Sequence, residues 1–225
     1  MENTDALENR LNFGTLTSDG FPCLSRALTG KHPRVGIQNS DERNPVTQLC
    51  WAGAGGKLFG RTRIGPVDWA TICQSGLNNG REIVVDNMRF IFSIPDIKDG
   101  YAVWPSQWKD EFWGTGKDAK RGTIRRFCRT VPPYLDLVWS SETDDVAEHL
   151  LVLVLEPVLP DLSILVGEQV TILTPLGKGT ARLKETSDYD IMLDGWTGTL
   201  DNSWGKAVGS RSILRRDAVL NIGKC

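Results

Sequence analysis

At 225 residues and a formal net charge of −2, the chain is long enough to bury a core without disulfide or metal staples. Near-neutral charge argues against a dedicated duplex-DNA binder, which needs a basic face. The five cysteines are odd in number and far apart, with no C-x-x-C pair, so a reduced cytoplasm suits them better than a disulfide framework.

In chain order, the opening "MENTDALENR" is acidic and polar, which predicts no secretory signal. Six of the eight tryptophans fall between Trp51 and Trp139, a density that suits a loop-rich fold held by aromatic anchors. "WAGAGGKLFGRT" is glycine-rich. It lacks the Lys-Ser/Thr of a P-loop and the spacing of a dinucleotide fingerprint, and reads as a flexible loop. "DWATICQSGLNNGREIVVDNMRFIFSIPD" predicts one short amphipathic helix and a hairpin. The turn pairs Asn79-Gly80 and Asp86-Asn87 flank the β-branched run Ile83–Val85.

Next come Trp104, Trp108 and Trp113, followed by Arg121, Arg125, Arg126 and Arg129. Aromatic faces stack bases or sugars, and guanidinium groups hold phosphates bidentately, so the three tryptophans with Arg121, Arg125 and Arg126 are a candidate ligand-binding set. The alternative is that the tryptophans anchor the core and the arginines form a solvated strand face. Glu142, Asp144 and Asp145 offer acid–base partners, a metal patch or simply a solvated loop. His32 and His149 lie near no metal-spaced cluster and no G-x-S-x-G, so no catalytic residue, metal or cofactor is assigned. "HLLVLVLEPVL" is too short to span a bilayer, and "LLVLVLEP" within it reads as a central strand.

The order of "GREIVVDNMRF", "SQWKDEFWG", "TIRRFC" and "LVLVLEP" resembles bacterial and phage proteins with a C-type-lectin-like fold of the formylglycine-generating-enzyme kind. The arginines of that family's closing motif are missing. The resemblance implies a scaffold for ligand display. "LEPVLPDLS" then places Pro157 and Pro160 before Asp161, a candidate helix cap. The boundary is set there, giving domains 1–157 and 158–225.

After it, "GEQVTILTPLGKGTARLKETSDYDIMLDG" predicts three strands, with Gly177 and Gly179 at a turn. "GWTGTLDNSWGKAVG" reads as a linker to two more, Arg211–Leu214 and Ala218–Ile222. A short helix and five short strands describe a small barrel. "VGEQVTILTPLGKGTARLKETSDYDIMLDG" and "LRRDAVLNI" resemble the two motifs of the Sm-like (LSm/Hfq-type) family, and an SH3-like barrel would give similar text. Asp190 stands where that family places a base-contacting Asn, and Arg216 replaces the Gly beside Arg215. The resemblance implies ring-forming homo-oligomers through open barrel edges, with Arg215 as a ligand contact. Asp190 and Arg216 complete the candidate set, the alternative being salt bridges of Arg215 to Asp217 or Asp190 on a solvated edge.

The expected fold is therefore α+β and mostly β, a C-type-lectin-like domain followed by a five-stranded Sm-like or SH3-like barrel. The expected role is non-enzymatic binding and sequestering of a nucleotide-type or phosphorylated small molecule in the cytoplasm, that of a host if the chain is phage-encoded, where the resemblance to phage proteins implies sequestering of a defence signal. RNA binding or a virion ring is the first alternative. A metal-dependent enzyme acting on nucleotides is the second. No membrane partner is expected.

Overall fold

The computed structural model describes residues 10–24, 28, 30–41, 43–96, 99, 112–115 and 148–225, with 124–129 and 137–142 as backbone strands. The first strands are β1 (Arg10–Ser18), β2 (Phe21–Pro22), β3 (Val35–Gln38), β4 (Gln48–Ala54), β5 (Lys57–Gly60) and β6 (Ile64–Val67). Helix α1 (Trp69–Gln74) leads into β7 (Arg81–Val85) and β8 (Met88–Ser93). Then follow β9 (Phe112–Gly114), β10 (Ile124–Arg129), β11 (Leu137–Glu142), β12 (His149–Leu151) and β13 (Val154–Pro157). The last six are β14 (Gln169–Thr174), β15 (Gly177–Thr186), β16 (Asp190–Asp194), β17 (Gly205–Val208), β18 (Arg211–Arg215) and β19 (Asn221–Lys224).

Turn chemistry sets much of this layout. Asp86 and Asn87 both sit at positive φ (49° and 67°), the left-handed conformation that a two-residue hairpin loop requires and that Asp and Asn tolerate. They join β7 to β8 as the dipeptide predicts. β2, β1, β4, β5, β13, β8 and β7 lie side by side in one antiparallel sheet, with β3 also paired to β1. β11, β10, β9, β12 and β6 form a second sheet. The expected central strand "LLVLVLEP" is divided between the two. His149–Leu151 joins the second sheet and Val154–Pro157 the first. Leu151 to Leu155 are all buried, the pattern of a chain covered on both faces. Trp51 is a core anchor, its Nε1 donating to Phe13 O at 3.0 Å.

The C-terminal strands form a third, antiparallel sheet in the order β17-β18-β16-β15-β14-β19. It curls around its own core, which includes Leu162, Ile172, Leu183, Leu193 and Ile222. The alternating burial of β15 and β16 reflects one face packed and one solvated. One expectation needs correcting. The curled sheet has six strands, not five, because β17 forms inside the glycine-bearing segment read as a linker. Its residues after Gly205 are exposed, so no alternation marked it as a strand. The expected cap holds: Asp161 Oδ1 accepts from Ser163 N at 3.0 Å and starts a 3-10 turn over Leu162–Leu165.

The two cores meet where β19 crosses the β7–β8 turn. Asn221 Nδ2 donates to Arg89 O at 2.7 Å. Asp86 accepts from Ser40 N at 2.8 Å and from Ser40 Oγ, and pairs with Lys178 Nζ at 2.9 Å. A Cβ at Gly223 would stand 1.7 Å from Asn87 O, so only glycine permits this approach.

Candidate functional site

A cleft of about 530 Å³ opens beside this junction, with one wall from each core. The first wall is built on the glycine-rich stretch, which is no loop but the hairpin β4–β5. Gly55 and Gly56 form its two-residue turn, both at positive φ (56° and 77°), between the paired residues Ala54 and Lys57. Leu11, Pro157 and Leu159 extend that wall, and Pro175, Trp204, Val219 and Leu220 make the opposite one.

Trp204 is held by its own turn. Its N–H and that of Gly205 donate to Asp201 O (2.9 and 2.8 Å), and Arg215 N donates to Trp204 O at 2.8 Å. Asp201 Oδ1 also accepts from Ser203 N at 2.8 Å, and this hydrogen bond holds its carboxyl below the usual carboxylate range. Lys57 is the titratable residue of the lining. Burial works against its charge, but a hydrogen bond from Nζ to Asp99 Oδ1 (2.9 Å), the Asp99 charge and the nearby Glu156 and Asp96 hold the ammonium above its usual value. The cation stays charged and is locally neutralised. The cleft therefore presents apolar surface, an indole and backbone, the composition of a pocket that takes the body of a small ligand.

The sequence candidates fall elsewhere. Trp104, Trp108, Arg121, Asp144 and Asp145 lie outside the described residues. Arg125 and Arg126 lie on β10 opposite Ser141 and Ser140 of β11. Trp113 is completely buried, its Nε1 donating to Val67 O at 2.7 Å and its ring against Trp69 and His149. It anchors the core and has no open face for stacking. Asp190 and Arg215 are neighbours across β16 and β18, at an exposed end of the two strands. Arg215 Nε donates to Asp217 Oδ1 at 3.0 Å and its Nη1 to Ser203 O at 3.3 Å. Arg216 Nη1 turns the other way, to Thr186 Oγ1 (3.1 Å) and Ser187 O (3.2 Å). The two adjacent arginines thus share no site. Only Arg215 has a link to the cleft, an indirect one through the turn that carries Trp204.

Among the described residues no group of three or more His, Cys, Asp or Glu side chains could hold a metal ion, and no helix is long and apolar enough to cross a membrane. Comparison with protein-family models, curated proteins and solved structures finds no match for this chain.

Proposed function

We propose that the protein binds a small molecule without transforming it, and that the cleft between the two cores is the site. The observation that carries this is the cleft itself: its volume lies in the range of ligand pockets, and its lining supplies grip but no base or nucleophile. The favoured ligand is nucleotide-type. Its base lies against the Trp204 indole, and its phosphates stay outside the apolar lining, because Lys57 is already neutralised. Retaining such a ligand intact is what a sequestering role requires. The order of the five strands β18-β16-β15-β14-β19 supports a small-barrel reading of residues 158–225, Sm-like or SH3-like. β17 covers the outer edge of β18, so self-association, where it occurs, uses the β17 edge.

The test is direct. Small molecules released by heat from the purified protein are identified by mass spectrometry, and nucleoside monophosphates are then titrated calorimetrically. Base–aromatic stacking is worth about 1–3 kcal/mol, so Trp204→Ala should weaken binding about fivefold or more. A new chemical product after incubation with divalent metal would overturn the non-enzymatic reading. Parent-like affinity of Trp204→Ala would remove the cleft as the site.

A further inference from the structure

At the other end of β1 lies a smaller, polar pocket of about 250 Å³, lined by Thr17, Gly20, Gln38, Arg34, Gly36 and Arg81 among others. Arg34 and Arg81 are 47 positions apart in the chain and are brought together because β3 pairs with β1 and packs beside β7. Neither guanidinium has a carboxylate within ion-pair distance among the described residues. The nearby Asp19 Oδ1 is engaged by the Arg34 backbone N–H at 2.9 Å.

Arg81 is held in place but incompletely satisfied. Its guanidinium lies 5.4 Å from the Phe92 ring centroid, and Nη2 donates to Val35 O at 3.3 Å. Its Nε is buried with no hydrogen-bond partner, an arrangement that native proteins seldom leave without a reason. Burial, and then the like charge of Arg34, pull Arg81 below its usual value. Gly36 keeps the floor open. A Cβ there would stand 2.7 Å from Thr17 Oγ1 and 3.6 Å from Arg81 Nη2. Two uncompensated cations, a hydroxyl and an unfilled floor describe a donor set that lacks its acceptor.

We infer that the Arg34–Arg81 pocket is an oxyanion site for a dianionic phosphate group, separate from the apolar cleft. Two guanidinium charges match a dianion better than a single carboxylate, and the planar fork of each suits tetrahedral oxygens. The phosphate comes either free or as the phosphomonoester of a small molecule.

The full-length protein is titrated calorimetrically with inorganic phosphate and with ribose 5-phosphate, using acetate at matched ionic strength as the singly charged control. Arg34→Gln changes an exposed side chain and should leave the fold intact. Arg81→Lys keeps the charge but loses the fork. Phosphate binding tighter than acetate, weakened about tenfold or more by Arg34→Gln and also weakened by Arg81→Lys, supports the site. Tighter binding of ribose 5-phosphate than of phosphate assigns it to a phosphorylated small molecule, and equal binding assigns it to phosphate itself. Phosphate binding no tighter than acetate, or parent-like affinity in both variants, overturns it. Trp204→Ala should leave phosphate affinity unchanged, so failure at the cleft and failure here are separately visible.

Discussion

The junction between the two cores and the C-terminal end of β18 each hold a cation against a carboxylate, with opposite degrees of burial. At the junction the Asp86 side chain is 7 % exposed and answers to Lys178, Ser40 N and Ser40 Oγ at once. At the strand end Arg215 and Asp217 are 56 % and 57 % exposed and mainly answer to each other. Water and salt screen the second pair, whereas the first is one part of a network whose loss leaves buried groups unpaired. The junction joins the two cores that supply the cleft's lining. Burial and connectivity, not the presence of an ion pair, therefore decide which contact matters to stability.

The strongest way to break this comparison is Gly223→Ala. Its Cβ would meet the Asn87 carbonyl oxygen, and backbone cannot yield as a side chain can. Urea denaturation should show a loss of about 3 kcal/mol or more, with ligand affinity at the cleft falling as the walls part. Next is Asp86→Ala, which strips Lys178 and Ser40 of their acceptor. The expected loss is about 2–4 kcal/mol, again accompanied by weaker binding. A parent-like midpoint for either variant would contradict the importance given to the junction.

Asp68 offers an intermediate case. Its Oδ1 caps α1 by accepting from Thr71 N at 2.9 Å, and its Oδ2 lies 2.6 Å from His32 Nδ1. Burial would raise its carboxyl, but the hydrogen bonds from Thr71 and the neighbouring His32 together hold it below the usual range. Asp68→Ala should cost about 1 kcal/mol. Because the folded-state value is depressed, the parent's advantage is fully present above pH of about 4 and is lost as pH falls through the folded value. Denaturation midpoints of parent and variant should therefore converge in acid. The smallest effect belongs to the double variant Arg215→Ala, Arg216→Ala. The loss should stay below about 1 kcal/mol, with cleft affinity unchanged by calorimetry, since Trp204 is held through the backbone N–H of residue 215.

Local features of the fold were readable and long-range ones were not. Asp86-Asn87 announced a hairpin because few residues accept left-handed backbone. The alternation of β15 and β16 announced strands because one face is wet. The division of "LLVLVLEP" between two sheets was hidden, because residues buried on every side carry no periodicity. The glycine-rich stretch was misread as a flexible loop for a related reason: Gly55-Gly56 suits a free loop and a tight hairpin turn alike, and only the pairing of β4 with β5 decides. The cleft joins Gly55 to Trp204 and Leu220, and the arginine pocket joins Arg34 to Arg81. Neither has a sequence spacing to betray it. Arg215 and Arg216 are adjacent in the chain, yet at a strand end adjacency sends side chains opposite ways. A signal for Trp204 did exist, in the Asp201-x-Ser203 turn that fixes it.

The most direct test of the central claim, that ligand is held between the two cores, is an amide and indole NMR titration with a nucleoside monophosphate. The largest shifts are expected at the Trp204 indole, Gly53–Lys57 and Val219–Leu220, with little change along Arg211–Arg216. Shifts confined to the Asp190–Arg215 end of β16 and β18, with Trp204 and Gly55–Gly56 unmoved, would contradict it.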